Sequence, residues 1–211
     1  MSSFILFGVG SAIVVEYVET CRRLDRKVVL GVENRETRRL LPRDIMVTSP
    51  ERIDAALLGV PALVPLFTPA NRAVAVEEAI AVGLDFPESL IDPTAIVAGD
   101  FFAGGGSFIN AGVIVGACTT LGMHVVINRG ASIGHHGRIG DFCSLGPGAI
   151  LAGEVTVGHG AMIGAGAIVL PGLTIGAHAV IGAGAIVTVD VPPGTKMLGV
   201  KARAVDPVID A

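Results

Sequence analysis

Residues 145–187 read LGPGAILAGEVTVGHGAMIGAGAIVLPGLTIGAHAVIGAGAIV, and the pattern of this stretch repeats every six residues. The first position of each hexad is a large aliphatic residue and the fifth is small. Extended in both directions, the register runs from Ile91 to Pro192 and puts Ile, Leu or Val at sixteen of seventeen first positions, Ala103 being the exception. Helices repeat at about 3.6 residues and half-buried strands at about 2. A period of six instead predicts a parallel β-helix, whose aliphatic residues stack along the axis of the coil.

The geometry of such a coil makes further predictions. Gly or Asn usually follows the aliphatic residue, and we expect these residues at the corners because both tolerate positive φ. Three hexads complete one triangular turn, so residues 18 positions apart lie in one column. Neighbours in a column are then separated by the strand spacing, about 4.8 Å.

Composition limits the class of protein. A chain of 211 residues forms one large or two small domains, and its net charge of −4 without a basic block argues against nucleic-acid binding. It has no uninterrupted apolar run of about 18 residues, so we predict no membrane span. The apolar run FILF near the N-terminus is too short for a signal-peptide core. Its three cysteines lack metal-site spacing, which favours reduced thiols in a cytoplasmic protein.

Residues 1–86 carry a different pattern, in which strand and helix signals alternate. This alternation predicts a small parallel sheet flanked by helices, about half of a doubly wound fold. The expected strands are 4–7, 27–32, 45–48 and 62–67, and the expected helices are 12–24, one that begins at 49–51, and one from 68 to about 83. Residues 85–92, with Pro87 inside the segment and Pro93 directly after it, form the joint to the coil.

A glycine-rich turn follows the first strand of this region. Gly8, Gly10 and Ser11 allow a tight strand-to-helix turn, whose free N–H groups can bind a phosphate. Glu33 and Asn34 end the second strand, where an acid can accept a hydrogen bond from a ribose hydroxyl. The third glycine of a dinucleotide fingerprint is absent, so NAD is not expected. A tight turn beside an exposed acid explains the same residues equally well.

Two consecutive histidines interrupt a coil face otherwise built of Gly, Ala and Ser. The column of His135 contains Gly153, which leaves room beside an outward-pointing ring. The column of His136 contains Glu154, one coil away, where a carboxylate can orient or charge the imidazole. Paired histidines could form half of a metal site, but no third ligand has suitable spacing, and we predict no metal. The other coil histidines, His124, His159 and His178, are expected on the surface.

The run INRGASIGHHGRIGDFCSLGPGAILAGEVTVGHGAMIGAGAIVLPGLTIGAHAVIGAGAIVTVDVPPG, residues 127–194, resembles the coil of the hexapeptide-repeat sugar O- and N-acetyltransferases. That family includes the sialic acid O-acetyltransferase NeuD and the bacillosamine- and perosamine-pathway N-acetyltransferases. The resemblance implies a left-handed coil. It also implies a Rossmann-like nucleotide-sugar-binding domain over residues 1–86, the β-helix acyltransferase domain over 87–192 and a C-terminal tail over 193–211.

The family's catalytic base lies in a segment of the form I-N-T-G-A-x-V-x-H-[DE], which corresponds here to His135, with the family's Asn at Asn128. Three positions depart from the family pattern. The acid that follows the catalytic His is His136, a second family His is Ser144, and the His of the N-terminal glycine turn is Ser11. We therefore expect Glu154 to supply the missing charge, directly or through His136.

The resemblance implies acetyl-CoA as co-substrate and no metal. Gly153 would offer its N–H to the thioester carbonyl. The remaining coenzyme contacts implied by the resemblance are Ser144, Ala165, Ala183 and, for the phosphates, Lys196, Lys201 and Arg203, although a solvated basic tail explains the last three equally well.

The resemblance thus implies an acetyl-CoA-dependent acetyltransferase that acts on an amino group of a nucleotide-linked sugar, with His135 as general base. A sugar O-acetyltransferase and a non-catalytic β-helix binding protein are the alternatives. A homotrimer is expected because Val155, Val157, Met162 and Leu170 are more aliphatic side chains than one narrow interior can hold.

Overall fold

The computed structural model of the chain describes residues 3–36 and 38–199. The N-terminal region is a parallel sheet of four strands in the order β3-β2-β1-β4, with a helix after β1 and another after β4. Its elements are β1 (Ser3–Phe7), α1 (Val14–Arg23), β2 (Lys27–Val32), β3 (Val47–Thr48), β4 (Ala62–Leu63) and α2 (Pro69–Ala81). The strand order reverses between β1 and β4, which is the switch point of a doubly wound sheet.

Two elements of the N-terminal region, one helix and one strand, are shorter than the sequence predicted. The helix expected from Ser49 is two single 3-10 turns, Pro50–Arg52 and Ala55–Leu57. Asp54 separates them because its extended backbone and its side-chain bond to the N–H of Ala56 start a new turn. Strand β4 ends at Leu63, since Pro65 has no N–H to continue the ladder.

The rest of the described chain winds into a three-sided parallel coil with two-residue strands. Face 1 consists of β5 (Leu90–Ile91), β8 (Phe108–Ile109), β11 (Val126–Ile127), β14 (Ser144–Leu145), β17 (Met162–Ile163), β20 (Val180–Ile181) and β22 (Lys196–Met197). Face 2 consists of β6 (Ile96–Val97), β9 (Ile114–Val115), β12 (Ser132–Ile133), β15 (Ile150–Leu151), β18 (Ile168–Val169) and β21 (Ile186–Val187). Face 3 consists of β7 (Phe102–Ala103), β10 (Thr120–Leu121), β13 (Arg138–Ile139), β16 (Thr156–Val157) and β19 (Thr174–Ile175).

The register of the coil confirms the columns expected from the hexads. Ser132 pairs with Ile150 and Thr120 with Arg138, each 18 residues along the chain. The second residue of each strand points into the coil, as Leu145 and Leu151 do, and the small residue before the next strand, such as Ala149, fills the space beside it. These side chains form one continuous aliphatic core.

Two residues expected on the outside of the coil belong to this core. Val155 and Val157 are buried and pack in the interior, because they occupy the fifth and first positions of their hexads. Of the four aliphatic residues on which the trimer prediction was based, only Met162 and Leu170 reach the surface of a single chain.

The glycines after the aliphatic residues have a different role from the one expected. A Cβ at Gly134 would lie 2.5 Å from the backbone nitrogen of Gly153, so close stacking of successive coils requires glycine there. Positive φ occurs two residues later in the hexad, at His136 and Glu154 among others. The sequence reasoning therefore assigned the conformational constraint to the wrong position of the turn.

The N-terminal sheet packs on face 1. The outward residues Leu90, Phe108 and Val126 are fully buried against Phe4, Leu6 and Tyr17 of the sheet and α1. The rings of Tyr17 and Phe108 stack with their centroids 3.8 Å apart. Burial of each such side chain stabilises the packing by about 1.5–3 kcal/mol.

A fully buried arginine also links the two regions. Arg72, on α2, donates from Nε to the carbonyl oxygen of His124 at 2.8 Å and from Nη2 to those of Phe142 and Cys143 at 2.7 and 3.0 Å. Its Nη1 donates to the carbonyl oxygens of Leu66 and Phe67. Burial lowers the pKa of Arg72 to about 10, so the guanidinium remains charged at neutral pH.

A buried carboxylate fastens α1 to the first coil. Asp92 accepts hydrogen bonds from Thr20 at 2.9 Å, from Arg23 at 2.8 Å and from the N–H and hydroxyl of Thr94. Burial alone would raise the pKa of Asp92, but these donors outweigh it and hold the pKa below its usual value.

Candidate active site

His135 and His136 lie at the corner between faces 2 and 3, called here the 2–3 corner. Both side chains are exposed, and their Nδ1 atoms are 3.0 Å apart with the rings nearly perpendicular. His136 has φ of 56°, a left-handed conformation that bends the chain into β13. The corner therefore presents two imidazoles side by side at the surface of the coil.

The His135 ring lies over Gly153, its neighbour in the next coil. A Cβ built on Gly153 would be 2.6 Å from Nε2 of His135 and 2.7 Å from Cε1. Only glycine at position 153 leaves room for the His135 ring in this position. His135 and Gly153 are therefore in contact, as the column arithmetic predicted. The N–H of Gly153 donates no hydrogen bond to any described residue.

Two carboxylates belong to the column of His136. Within residues 3–36 and 38–199, the Glu154 side chain bonds to neither histidine, although its N–H donates to the carbonyl oxygen of His135 at 2.8 Å. On the other side, Asp100 accepts from the N–H of Cys118 at 2.9 Å. Hydrogen bonds from Cys118 lower the pKa of Asp100 most, and the charge of His136 adds to the effect. Asp100 is thus a corner residue that sequence reasoning missed, although it shares the column of His136.

Asn128, Ala165 and Ala183 lie at a different corner, between faces 1 and 2, called here the 1–2 corner. The side-chain oxygen of Asn128 accepts from the N–H of Arg129 at 2.8 Å and from Nδ2 of Asn110 at 3.1 Å. Ala165 and Ala183 are exposed and stack in one column. A single chain therefore does not bring these three residues to His135, from which face 2 separates them.

The structure places Ser144, which the resemblance assigns to the coenzyme, inside a single chain. Ser144 is on face 1 beneath the N-terminal region and is fully buried. Its hydroxyl donates to the carbonyl oxygen of Phe67 at 2.5 Å and accepts from Arg72 at 3.0 Å. The side chain has no surface from which to contact a coenzyme, because the residue that replaces the family histidine is part of the contact between the two regions.

The corner between faces 3 and 1 contains a ladder of aromatic rings. Phe86, His124, Phe142, His159 and His178 follow one another with centroids 4.8, 4.9, 5.6 and 5.2 Å apart. His159 and His178 are exposed as expected, but His124 is buried between the two phenylalanines. Burial lowers the pKa of His124 to about 4, so this ring is neutral and structural.

A cavity of about 520 Å³ opens at the switch point of the N-terminal sheet. Gly8, Gly10, Ser11 and Asn34 line one side, which brings together four of the five residues expected to bind substrate. The other side is formed by Leu66, Phe67, Thr68, Asn71, Val74 and Ala75, at the end of β4 and the start of α2. Sequence reasoning did not include this second side, although the helix start at Thr68-Pro69 and the switch-point rule identify it.

A second cavity of about 510 Å³ adjoins the first through Asn34 and Arg35. Glu33, the fifth expected substrate residue, lines it together with Ser49 and Glu51. Glu78 on α2 closes the boundary, since it accepts from Asn34 at 2.7 Å and pairs with Arg35. The two cavities together form an elongated groove along the carboxyl ends of the strands.

The outward positions of face 2 form an exposed aliphatic ladder. Ile96, Ile114, Ile150, Ile168 and Ile186 occupy five of the six positions, and Ser132 the sixth. Ile96 and Ile186 are 67% and 64% exposed. The corresponding positions on face 3 are mostly threonine and arginine. Face 2 is therefore the apolar side of a single chain.

Three further expectations concern the basic residues near the end of the chain, bound metals and a membrane span. Lys196 is exposed on β22, whereas Lys201 and Arg203 lie outside the described residues. In the part of the chain that the structure describes, no three His, Cys, Asp or Glu side chains are grouped to hold a metal ion. No helix among the described residues is long and apolar enough to cross a membrane.

Comparison with known proteins gives one family match. The bacterial transferase hexapeptide (six repeats) family matches residues 136–171 and 155–188. No curated protein sequence matches the chain.

Solved structures match over nearly the full length. A histidine mutant of GDP-perosamine N-acetyltransferase from Caulobacter crescentus, in complex with CoA and GDP-perosamine, is 30% identical with a TM-score of 0.81, and the alignment covers 96% of each chain. The acetyltransferase domain of PglB from Neisseria gonorrhoeae, in complex with acetyl coenzyme A, is 25% identical with a TM-score of 0.81, and the alignment covers 93% of this chain and 96% of that one. WeeI from Acinetobacter baumannii, 19% identical with a TM-score of 0.73, shares the fold. The expected fold class, a left-handed parallel β-helix after a small α/β region, is confirmed.

Proposed function

Because the chain belongs to the hexapeptide-repeat sugar acetyltransferase family, we propose that it transfers the acetyl group of acetyl-CoA to an amino group of a nucleotide-linked sugar. Family membership makes the protein an acetyl-CoA-dependent acyltransferase. The amine acceptor, the nucleotide and the role of His135 are the proposed part. The observation that supports them is the exposed His135 ring, which lies over Gly153. The 30% identical perosamine N-acetyltransferase was solved in complex with CoA and GDP-perosamine.

The proposed chemistry uses two groups of the 2–3 corner. Nε2 of His135 takes a proton from the acceptor amine, whose nitrogen attacks the thioester carbonyl carbon. The unbonded N–H of Gly153 donates to the oxyanion that forms. The carbon–sulfur bond then breaks, and the proton on His135 passes to the leaving thiolate. A thioester is already activated, so this sequence needs no covalent enzyme intermediate.

The groove of the N-terminal sheet suits the nucleotide of the acceptor. It lies at the switch point, where open α/β sheets bind ligands, and the amino ends of α1 and α2 flank it. Free N–H groups at helix starts favour phosphates. The diphosphate would lie near Gly10 and Ser11, and the nucleoside in the adjoining cavity near Glu33.

The proposed site requires more than one chain. The N-terminal region packs on face 1, and His135 is at the opposite corner of the triangle. A neighbour that docks on the isoleucine ladder of face 2 would bring its 1–2 corner to the 2–3 corner of the first chain. Asn128, Ala165 and Ala183 of one chain would then line the coenzyme site of another, as expected for a homotrimer.

The test is acetyl transfer by the purified protein. Release of free thiol from acetyl-CoA would be followed with GDP- and UDP-linked amino sugars and with the same nucleotides linked to the corresponding hydroxyl sugars. We expect turnover with an amine acceptor and a loss of about 10²–10⁴-fold in His135→Ala. His159→Ala, another exposed coil histidine, is the matched control and should retain activity.

Two results would contradict the proposal in different ways. Preference for the hydroxyl sugars would make the protein an O-acetyltransferase with the same base. Binding of nucleotide sugars without turnover that depends on His135 would favour a non-catalytic binding protein.

A further inference from the structure

The contact between His135 and His136 restricts where their protons can be. Two ring nitrogens 3.0 Å apart share one hydrogen, which one ring donates and the other accepts. In one arrangement Nδ1–H of His135 donates to Nδ1 of His136, so Nε2 of His135 has a free lone pair. In the reverse arrangement neutral His135 has its hydrogen on Nε2 and cannot act as a base there.

Only the first arrangement is competent for catalysis, because Nε2 is the nitrogen that lies over Gly153. Whatever keeps the hydrogen on Nδ1 of His135 therefore determines whether the base is available. Among the described residues, the only side chain that hydrogen-bonds to this imidazole is His136. The backbone holds His136 in place, since its N–H donates to the carbonyl oxygen of Ala117 at 2.9 Å.

We propose that His136 is a positioning residue that accepts the Nδ1 hydrogen of His135 and so keeps Nε2 of His135 free for the amine proton. This inference rests on the proposed function of His135. When Nε2 takes the amine proton, His135 becomes an imidazolium whose Nδ1–H still points to Nδ1 of His136. The bond then stabilises the cation until the proton leaves to the thiolate.

Charged groups lie along the column of His136. Asp100 and Cys118 precede His136 in its column and Glu154 follows it, so carboxylates lie on both sides along the coil axis. Asp100 and His136 interact electrostatically, and a carboxylate that accepted from Nε2 of His136 would hold the hydrogen there and leave Nδ1 free to accept. Arg138, exposed on β13, is the nearest cation in sequence.

The test compares three substitutions at one position. His136→Gly removes the acceptor without backbone strain, because glycine adopts positive φ freely. His136→Asn and His136→Asp restore an acceptor oxygen, and both residues also tolerate this conformation. Nitrogen-15 NMR of labelled histidine in the free enzyme reports the tautomer of His135, and the pH profile of kcat/KM reports its basicity.

We expect the wild-type His135 to carry its hydrogen on Nδ1 and the Gly variant to lose this preference, with kcat/KM about tenfold lower or more. The Asn variant should regain the tautomer and most of the activity. The Asp variant should also move the acidic limb of the profile to higher pH, because a carboxylate favours the imidazolium.

An unchanged tautomer and rate in His136→Gly would overturn the proposal. The proposal would also be overturned if His136→Asn lost the tautomer preference and the activity as His136→Gly does. The hydrogen-bond acceptor at position 136 would then not control the base. Failure of the proposed function is distinguishable: His135→Ala would then be active, while the tautomer measurement would still report on the contact.

Discussion

Gly153 shows how a single absent side chain shapes the candidate site. Its Cα lies beneath the His135 ring, so a methyl group there would meet Nε2 and Cε1 at less than 3 Å. The ring would have to turn away from the position in which we place its catalytic nitrogen. The residue is thus a specific requirement of the site rather than of the fold.

Gly153→Ala should therefore reduce activity while leaving the coil folded. A displacement of the base by about 1 Å is enough for roughly a hundredfold loss of kcat/KM. Gly99→Ala is the matched control, since Gly99 begins the same column and a Cβ there meets no atom within 4 Å. Equal activity of the two variants, with equal melting temperatures, would show that His135 does not act from its present position.

Sequence reasoning reached part of this site and not the rest. The hexad period alone put Gly153 next to His135, because columns follow from arithmetic once the period is known. It could not give the contact between the two histidine rings, which depends on the left-handed backbone of His136 and on side-chain rotation. It also could not foresee that Ser144 would be covered, because which coil face the N-terminal sheet occupies is a property of tertiary packing.

Among the elements, α1 is tied to the first turn of the coil through the buried carboxylate of Asp92. Asp92 collects four donors at the start of the first turn, and its pKa is held below the usual value. A carboxyl group whose pKa is depressed by folding stabilises the protein above its unfolded pKa, about 3.9. This stabilisation disappears as the pH falls through the folded pKa.

Asp92→Asn should lower the free energy of unfolding at pH 7 by about 1.5–3 kcal/mol, the range for hydrogen bonds to a charged group. The difference from wild type should shrink once the pH falls below about 4. Urea unfolding at pH 7 and at pH 3.5 measures both quantities. Asp85→Asn, an exposed change in the same joint, should have no comparable effect. A destabilisation that stays constant with pH would contradict the role of the charge.

The elements differed in how well they could be predicted. The seventeen hexads determined nearly every strand of the coil, since each depends only on its own six residues and the next coil. The N-terminal elements depend on local competition: Asp54 caps a new turn where a continuous helix was expected, and Pro65 shortens β4. A single side chain decides the outcome in each case. A prediction based on a repeating pattern of several residues does not detect such an effect.

For the whole molecule, the central question is how the base and the nucleotide groove meet. The groove belongs to the N-terminal region, which packs on face 1, and His135 lies at the corner that face 1 does not form. We therefore expect the proposed reaction to use groups from neighbouring chains. His135→Ala removes the base, and Ser11→Trp should fill the groove. Each variant alone should be inactive.

Mixing these two variants before refolding should restore activity. Random assortment gives about one quarter of the sites a wild-type base and a wild-type groove, provided that the two come from different chains. Thiol release per site measures this recovery. No recovery would mean that base and groove belong to one chain.

The control for this experiment tests whether chains associate through face 2. Ile150→Lys in both chains should abolish complementation and give monomers by light scattering, because the lysine would be buried unpaired in an apolar contact. Thr174→Lys on face 3 should leave assembly intact, since that face is polar. A stable monomer of the unaltered protein at micromolar concentration would itself exclude the shared site.

The 18-residue register also has a consequence for insertions and deletions. An additional residue at a corner can loop outward into solvent, where the cost of a longer loop is small. A missing residue cannot be replaced from elsewhere: the two strands it separates no longer reach their partners, and every later column moves out of line. Length variation in this coil should therefore be strongly asymmetric, with corner insertions tolerated and single-residue deletions rejected, except where a whole turn of 18 residues is removed.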